Sequence, residues 1–368
     1  MEIKIDRDIF LNGMQKVQGI VESKGTMPIL SHVHIATEKD GILLQATDLE
    51  IGIKGFLPAQ VVAAGAVTLN ARKLFDILRE LPNLEVHLVR GDNDWVNLKC
   101  GKAKFRLPGL PASDYPKLPE YSEEALIEFS GKQLKEMIRK TYFAISPDES
   151  RQALNGLLLE REKDHVNMVG TDGHRLAFIK RPVKGKASTG EPQGFLLPKK
   201  LLSELLKLLE DEDASYTFSV KDNQLAFIHG KEVILSRKID GKFPNYRQVI
   251  PSDNDVRIPV NTQALIHALK RVALLADEKS KMVRFEIEQG LLTLISDNTE
   301  LGDAREEVEI SYKGQDISIG LNAKYVLDIL SVVEDEEITL NLKDQNHSCL
   351  ITLDQDKDYL SIVMPMRL

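Results

Sequence analysis

A threefold internal repeat is the feature that most restricts how this chain can fold. Each copy begins with a short strand and an amphipathic helix, followed by two alternating apolar strands that lead to a small hydroxyl residue and Asp or a similar turn. The hydroxyl residues stand at Thr47, Thr171 and Ser296, so the copies keep register along the sequence. With roughly 100 to 200 residues expected per domain, the 368 residues therefore divide into similar domains, one for each copy.

Each copy also repeats its plan in its second half, where a strand, an apolar helix and further strands follow one another. Asn70 and Asn322 are good helix N-caps, and Pro198 suits a first helical turn. Helices are predicted over residues 7–22, 71–80, 131–142, 199–209, 262–275 and 323–333. Apolar residues recur at helical spacing at Phe10, Met14, Val17 and Val21, and at Leu201, Leu205 and Leu208.

Strands and helices of this kind each have one face to bury, which predicts an α+β fold. The strands alternate with a period of two, so each helix pair packs most economically on an antiparallel sheet. Stretches rich in proline and polar residues, 107–125 and 242–256, mark boundaries, and 184–194 is a polar loop without a phosphate-loop motif. The predicted domains are 1–120, 127–246 and 255–368, with linkers 121–126 and 247–254.

Composition excludes several classes of protein. Apolar residues make up 42% and charged residues 28%, as in ordinary folded proteins. Cys100 and Cys349 lie far apart in sequence, which argues against a disulfide framework or a thiolate zinc site and fits a reducing compartment. The first residues lack the apolar run of a signal peptide, and no stretch approaches 18 uninterrupted apolar residues. We therefore expect a cytoplasmic protein without a membrane partner.

Charge is distributed unevenly between the helices and the remainder. The net charge of −8 alone argues against a nucleic-acid partner. The predicted helices, however, carry 15 Lys and Arg residues against 7 Asp and Glu residues, so they hold +8 and the remainder holds −16. If the helices share one surface, that surface suits phosphates; the alternative is that these are solvated faces of surface helices. The leading basic residues are Lys132, Lys135, Arg139, Lys140, Lys199, Lys200, Lys207, Lys270 and Arg271.

Several residues could be taken for a catalytic or metal site. Asp172 and His174 could form an acid and base pair, but no serine or cysteine nucleophile motif accompanies them, and the other repeats lack the histidine. His32 and His34 share a strand face without a third or fourth ligand in view. We therefore predict no catalysis, no cofactor and no metal. The rival hypothesis is a hydrolase that uses linker carboxylates such as Asp253 and Asp255.

Four motifs in order carry a resemblance that spans the whole chain. They are TDGHRLA at 171–177, FPNYR at 243–247, YVLDIL at 325–330 and the closing MPMRL at 364–368. With the three repeats, they make the chain resemble the bacterial DNA polymerase III beta subunit, the sliding clamp. The resemblance implies a head-to-tail homodimer, a closed ring of six domains whose helices line a pore around double-stranded DNA, and a nonenzymatic role as a tether.

The same resemblance implies a set of partners and a groove that binds them. The partners are the DNA polymerase III catalytic subunit, the clamp loader complex, and other polymerases and mismatch-repair or ligase proteins that carry clamp-binding peptides. Gln248 and Ser280 depart from some relatives, which affects client preference. The groove residues carried over are Leu154, Thr171, Gly173, His174, Arg175, Leu176, Pro244, Gln248, Val249, Asn322, Tyr325, Asn346, Ser348, Ile362, Val363, Met364, Pro365, Met366 and Arg367.

Two further surfaces are expected from the ring arrangement. Contacts to DNA phosphates are predicted from Lys24, Arg72, Lys73, Arg151, Lys199 and Lys200. The ring should close between a basic strand over residues 97–107 of one chain and an acidic, apolar edge of the third domain of the other. The residues predicted at this interface are Lys102, Lys104, Phe105, Leu107, Leu274, Leu275, Glu300, Asp303 and Glu306. A ring-forming interaction scaffold that does not act on DNA is the remaining alternative.

Overall fold

A computed structural model describes residues 1–21, 27–183, 192–209, 211–300 and 302–368. By its internal contacts the chain forms two compact units, which are described separately. Unit 1 contains residues 1–132 and 200–238, and unit 2 contains residues 133–199 and 239–368. The described residues form the α-helices α1 (Arg7–Val17), α2 (Ala71–Glu80), α3 (Gly131–Tyr142), α4 (Lys199–Leu208), α5 (Thr262–Val272) and α6 (Ala323–Leu330).

Unit 1 contains two antiparallel sheets. The smaller sheet has the strand order β5-β1-β7-β8-β9, and the larger has the order β10-β15-β16-β17-β4-β3-β2-β6. The strands are β1 (Glu2–Asp6), β2 (His32–Glu38), β3 (Gly41–Thr47), β4 (Ile51–Pro58), β5 (Gln60–Ala63), β6 (Ala66–Asn70), β7 (Glu85–Arg90), β8 (Trp95–Cys100), β9 (Ala103–Pro108), β10 (Ile127–Ser130), β15 (Ser215–Lys221), β16 (Gln224–His229) and β17 (Glu232–Arg237).

Unit 2 has a matching pair of antiparallel sheets. The larger has the order β14-β11-β12-β13-β25-β24-β23-β18, and the smaller has the order β21-β20-β19-β22. The strands are β11 (Gly156–Glu162), β12 (His165–Thr171), β13 (Arg175–Pro182), β14 (Gln193–Pro198), β18 (Val256–Asn261), β19 (Met282–Glu288), β20 (Leu291–Asn298), β21 (Gly302–Glu309), β22 (Ile317–Asn322), β23 (Glu337–Leu342), β24 (Cys349–Thr352) and β25 (Tyr359–Val363).

The two larger sheets cross the boundaries between repeats, which the sequence did not predict. In unit 1, β17 of the second repeat pairs with β4 of the first, and in unit 2, β13 of the second repeat pairs with β25 of the third. Alternation shows that a strand has a face to bury but not which strand lies beside it. Because compactness follows these continuous sheets, the domain boundaries at 120, 127, 246 and 255 stay a sequence prediction.

The internal repeat is visible in hydrogen bonds at the turn after its second strand. Thr47 Oγ1 donates to the carbonyl oxygen of Ile51 at 2.8 Å, and Thr171 Oγ1 donates to that of Arg175 at 2.6 Å. The next residue, an aspartate in both repeats, accepts backbone N–H bonds from two residues further along. In the third repeat β20 continues past Ser296, so this turn is not repeated there.

The helix ends confirm the N-caps and shorten two of the predicted helices at their C-termini by several residues. Asn70 Oδ1 accepts from the N–H of Lys73 at 3.0 Å, and Asn322 Oδ1 accepts from that of Tyr325 at 3.1 Å. α1 ends at Val17, so Val21 lies outside the helix. Pro198 is the last residue of β14 and precedes α4 instead of lying in its first turn. α5 ends at Val272 and a 3₁₀ turn follows over Ala273–Leu275.

Residues 97–107 form a hairpin, whereas the sequence predicted one strand. β8 ends at Cys100 and β9 begins at Ala103, with Gly101 at a positive φ of 54° in the turn. The left-handed backbone suits glycine, which carries no Cβ. As a consequence β9 is the edge of its sheet, and its outward residues are available on one side of unit 1.

The membrane and metal expectations concern the described part of the chain. No helix there is both long and apolar enough to cross a membrane. Cys100 and Cys349 are both buried as free thiols. Burial raises the pKa of Cys349 to about 12, so this thiol stays protonated at neutral pH. The loop predicted at 184–194 lies mainly outside the described residues.

A cluster of two cations and two carboxylates joins α3 to β13 and the turn before β25 in unit 2. Arg181 Nη2 lies 2.6 Å from both Glu136 Oε1 and Asp356 Oδ2, and Lys140 Nζ lies 2.8 Å from Asp356 Oδ2. Burial raises the pKa of each carboxyl, but hydrogen bonds from Arg181 and Lys140 outweigh it and hold both pKa values below their ordinary range. Lys140 is therefore engaged here.

This cluster predicts a loss of stability in acid. Carboxyls with a lowered folded-state pKa stabilise the protein above their unfolded pKa, and this contribution is lost as the pH falls through the folded pKa. We expect Arg181→Gln to reduce the free energy of unfolding by about 2 kcal/mol at neutral pH, between the values for exposed and buried ion pairs. The difference from wild type should shrink below about pH 4. Urea unfolding at several pH values measures it, and parallel pH profiles would contradict this assignment.

Candidate functional site

An apolar pocket of about 100 Å³ lies in unit 2, on one face of the larger sheet. The segment that links β17 to β18 covers this face, and its Phe243 and Tyr246 are buried against the sheet. One polar side chain, Thr171, and one charged side chain, Arg175, interrupt a lining that is otherwise apolar or aromatic. The lining residues are Leu154, Thr171, Gly173, Arg175, Leu176, Pro244, Tyr246, Val249, Ile362 and Met364.

The turn between β12 and β13 forms one wall of the pocket. Asp172 Oδ1 accepts from the N–H groups of His174 and Arg175 at 2.9 and 3.0 Å. Thr171 Oγ1 accepts from the N–H of Gly173, which has a φ of 89°. A side chain with a Cβ is strained in this conformation, so the TDG sequence is the local cause of the turn. Asp172 is thus a structural acceptor, which agrees with the prediction that it does not act as a catalytic acid.

Arg175 ties this wall to α6. Its Nε lies 3.1 Å from Asp172 Oδ2 and its Nη1 lies 2.6 Å from Asp328 Oδ2. The guanidinium also stacks over the ring of Tyr325 at 4.5 Å. Arg175 is only 7% exposed, so its charge is already satisfied by the protein and it contributes shape to the pocket. Burial raises the pKa of the Tyr325 hydroxyl, with a smaller effect from Asp172.

The end of the chain forms the opposite wall. The N–H of Met364 donates to the carbonyl oxygen of His174 at 2.9 Å, and the N–H of Met366 donates to that of Gly320 at 2.8 Å. A Cβ at position 320 would lie 2.8 Å from the carbonyl oxygen of Met366, so glycine is needed for this close approach. The closing residues are therefore docked on the fold, as the sequence indicated.

Nine of the groove residues carried over by resemblance line this pocket, and others surround it. His174 stacks on Tyr325 with ring centroids 6.5 Å apart, and Asn322 caps α6. Val363 is fully buried, on the opposite face of β25 from Ile362, so its side chain is not brought into the pocket. Asn346 lines a separate, polar cavity of about 750 Å³ beside Asp344. Ser348 belongs to the same loop, whereas Gln248, Pro365, Met366 and Arg367 do not line the pocket itself.

Tyr246 lines the pocket but was not among the predicted groove residues. The signal was present, because this tyrosine belongs to the FPNYR motif that carried part of the resemblance. Its ring packs against Phe178 at 5.8 Å, and its hydroxyl donates to Glu160 Oε2 at 2.7 Å. An aromatic residue in a linker was counted as a motif and not as a wall.

The predicted DNA-contacting residues lie at helix starts or near turns, except Lys24, which lies outside the described residues. Arg72 and Lys73 are exposed in the first turn of α2, and Lys199 is exposed in the first turn of α4. Lys200 is ion-paired with Asp48 within unit 1, and Arg151 lies 3.6 Å from Asp148 within unit 2. The repeat adds one residue that was missed, because Lys324 is exposed in the corresponding first turn of α6.

Some basic helix residues are paired within the chain. Lys207 Nζ lies 2.7 Å from Glu204 Oε1, and Arg271 Nε lies 2.7 Å from Glu306 Oε2. Lys132, Arg139 and Lys270 are exposed on their helices. The shortened helix ends remove one charged residue from the predicted set, Glu22, so the basic excess of the helices is kept.

The predicted interface residues lie on two sheet edges. Lys102 belongs to the turn before β9, where Lys104 and Phe105 are exposed and Leu107 is half-buried. In unit 2, β21 is the edge of the smaller sheet and carries Asp303 and Glu306.

An apolar and acidic surface continues this second edge. Leu274 is 77% exposed in the 3₁₀ turn after α5, and Leu275 is half-buried beside it. Glu300 is exposed in the turn before β21. Glu306 is a correction, because its ion pair with Arg271 offsets the charge that it was expected to offer a partner.

The histidine pair has structural roles in unit 1. His32 Nδ1 lies 3.1 Å from the carbonyl oxygen of Pro28, and the ring of His34 stacks on Tyr115 at 5.3 Å. Burial lowers the pKa of both histidines. Across the described ranges, no three His, Cys, Asp or Glu side chains come together in a way that could hold a metal ion.

Three family models together match nearly the whole chain. They are the N-terminal, central and C-terminal domains of the DNA polymerase III beta subunit, at residues 1–119, 128–245 and 247–367. The beta sliding clamp of Pseudomonas putida is 33% identical over the full length of both chains. Two structures from Pseudomonas aeruginosa, a DNA polymerase III subunit beta and a sliding clamp bound to griselimycin, each cover all of both chains at 33% identity and a TM-score of 0.95.

Fold and site together define a DNA clamp, a protein of three similar α+β domains with antiparallel sheets. The same comparisons fix the family in which this clamp stands. The chain belongs to the DNA polymerase III beta subunit family, the bacterial sliding clamps.

Proposed function

We propose that this protein is a DNA polymerase processivity factor that encircles duplex DNA as a homodimeric ring and tethers its clients without catalysing a reaction. The observation that carries the proposal is family membership over the full length, together with an apolar pocket formed by the family motifs. A closed ring stays on DNA by topology, so the protein does not need tight contacts to remain bound.

Retention on circular DNA tests the ring directly. We expect the protein, once loaded by a clamp loader complex onto a nicked circle, to stay bound through gel filtration and to be released when the circle is cut. A scaffold that does not act on DNA would not be retained on either form. Retention that persists unchanged after linearisation would point to direct binding instead of a ring.

The proposed DNA contacts are made to phosphates. Arg72, Lys73 and Lys199 lie exposed in first turns of helices, and Lys324 occupies the corresponding position of the third repeat. Contacts to phosphate carry no sequence information, whereas base readout needs side chains that reach the groove edges. Weak and uniform contacts of this kind permit sliding. Lys24, Arg151 and Lys200 are proposed to add to the same surface.

Binding to short linear duplexes is therefore expected to be weak, salt-dependent and indifferent to sequence. The log of the binding constant should fall against the log of salt concentration with a slope of about −0.9 for each phosphate neutralised. We expect Arg72→Glu with Lys73→Glu to make this slope shallower by about two contacts. Fluorescence anisotropy with two duplexes of equal length and different sequence measures both quantities.

A matched control has the same charge change elsewhere. Lys39 and Lys163 are exposed in hairpin turns, so Lys39→Glu with Lys163→Glu alters net charge equally without touching the proposed surface. This control should leave the slope close to that of wild type. A strong preference for one duplex sequence would count against the pore arrangement.

The proposed ring closes head to tail between two sheet edges. The edge strand β9 carries Lys104 and Phe105, and the edge strand β21 carries Asp303 beside the exposed Leu274. Unpaired sheet edges with complementary charge favour association, and a heterologous contact of this kind can close into a ring. Lys102, Leu107, Leu275, Glu300 and, in part, Glu306 are proposed to complete the contact.

The pocket is proposed to receive an apolar anchor of a client peptide. Leu176, Val249 and Met364 line it, and methionine adapts its shape to different anchors. We propose that the DNA polymerase III catalytic subunit, the clamp loader complex, and other polymerases, mismatch-repair proteins and ligases bind there through short peptides with leucine and phenylalanine. We further propose that the protein works in the cytoplasm. Gln248 and Ser280 are proposed to influence which peptides are preferred.

A further inference from the structure

A buried carboxylate lies under the linker, outside the pocket itself. Glu160, on β11, is 9% exposed and faces the segment that covers the sheet. Its Oε2 accepts from the hydroxyl of Tyr246 at 2.7 Å, from Arg247 Nη2 at 2.5 Å and from Asn167 Nδ2 at 3.2 Å. Arg247 also pairs with Glu162. These bonds converge on one side chain and come mainly from two consecutive linker residues.

This network is a poor way to gain stability alone. Burying a carboxylate costs free energy, which its hydrogen bonds only offset, and apolar residues of similar volume often stabilise a protein equally well. Asn167 Oδ1 is buried without a hydrogen-bond partner, which adds a further cost. Around the network the same sheet face is apolar, with Leu158 and Val169 directly next along the paired strands. Directional bonds do what apolar contacts cannot, because they fix one register of the linker on the sheet.

The register of the linker decides the shape of the pocket. Tyr246 begins a 3₁₀ turn in which the N–H of Val249 donates to its carbonyl oxygen at 3.0 Å. Pro244 and Val249, on either side of Tyr246, both line the pocket, and so does the tyrosine itself. A shift of the linker along the sheet would therefore displace three lining residues together. Hydrogen bonds at Glu160 lower its pKa despite burial, so the acceptor is charged at neutral pH.

We infer that Glu160 and Asn167 are positioning residues for peptide binding, and that they act through the Tyr246 hydroxyl and Arg247 by locking the linker in register. This inference rests on the proposed function of the pocket. Neither residue lines the pocket, so their effect on a bound peptide is indirect. They would set affinity by keeping the pocket formed before the peptide arrives.

Two variants of the full-length protein separate positioning from stability. Tyr246→Phe removes the hydroxyl and keeps the ring packed against Phe178. The triple variant Glu160→Leu, Asn167→Leu and Tyr246→Phe replaces the network with apolar groups. The probe is a fluorescein-labelled synthetic peptide that carries one leucine and one phenylalanine among serines, and binding is measured by anisotropy. We expect the dissociation constant to rise about fivefold for the single variant and about thirtyfold for the triple variant, with the melting temperature of the triple variant maintained or raised.

Glu136→Gln is the matched control, because it breaks a partly buried ion pair in the same unit far from the linker contacts. It should lower the melting temperature and leave the dissociation constant within about twofold of wild type, below the effect of one lost hydrogen bond. Wild-type affinity in both network variants would overturn the inference, as would an affinity that simply follows melting temperature across all variants.

Hydrogen exchange gives a second readout that needs no peptide. If the network locks the linker, the N–H groups of Gln248 and Val249 should exchange faster in both network variants, while those of β18 keep their wild-type rates. Unchanged linker exchange in the triple variant would also overturn the inference. Failure of the wild-type protein to bind the peptide would instead refute the proposed pocket function, and the exchange rates would still decide whether the network positions the linker.

Discussion

Replacing Leu274 with Ala and Leu275 with Lys is expected to convert the dimer into monomers. Leu274 is 77% exposed in the isolated chain, and an apolar side chain so placed is costly unless a partner covers it. Burying each leucine contributes about 1.5 to 3 kcal/mol, and a lysine in the same interface adds an unpaired charge. Since each 1.4 kcal/mol changes affinity about tenfold, the dissociation constant should rise by roughly a hundredfold or more. Multi-angle light scattering across a range of protein concentrations measures it.

Two controls make this result specific to the proposed edge. Val62 is half exposed on β5, at the other end of the same sheet as β9, and Val62→Ala should leave the dimer intact. A charge exchange tests complementarity, because Lys104→Glu should weaken the dimer and adding Asp303→Lys should restore part of the affinity. A dimer that persists in the double leucine variant would refute this interface.

Removing Met364 to Leu368 is expected to abolish peptide binding while ring formation and DNA retention survive. The deletion takes away the Met364 wall of the pocket and the backbone bonds to His174 and Gly320. It leaves β9, β21 and the basic helix starts in place. Two lost backbone hydrogen bonds cost about 1 to 3 kcal/mol, a modest part of the stability of a protein of this size, whereas an open pocket loses most of its contacts with an apolar anchor.

The competing explanation is that these residues only complete the last strand. In that case the truncated protein should lose thermal stability and dimer mass together. Measuring melting temperature, dimer mass and affinity for the labelled peptide on one sample distinguishes the two explanations. Peptide affinity at the full-length level would remove the basis for assigning this end to the pocket. Met364→Ala in the full-length chain is a milder version that keeps both backbone bonds and should still weaken binding.

Local chemistry made much of the fold predictable from sequence. Asn70 and Asn322 cap helices where their side chains can accept a backbone N–H, and the two TD turns fold alike because Thr and Asp satisfy the same groups. Sheet membership was not predictable in this way. The pairing of β17 with β4 joins residues far apart in sequence, and periodicity contains no information on which exposed edge meets which.

The site divides along a similar line. Residues within motifs, such as Thr171, Arg175 and Met364, came together in one pocket. What sequence could not supply was the state of the side chains: Arg175 and Lys200 carry charges that are already paired within the chain, and Glu160 lies in no motif although it accepts from two residues of one. Ion pairing between distant segments depends on tertiary structure, which a list of charges does not contain.

The continuous eight-stranded sheets restrict how such a chain can be recombined in evolution or in the laboratory. The strand pairs of β17 with β4 and of β13 with β25 are shared between neighbouring repeats, so each repeat holds half of a hydrogen-bonded seam. A chimera that takes one repeat from a distant relative must match the seam on the retained side, including the tight pairing of Leu235 opposite Gly52. Crossovers placed inside the second repeat, between α3 and α4, would keep both seams within a single parent, and such chimeras should fold more readily than those joined at the linkers.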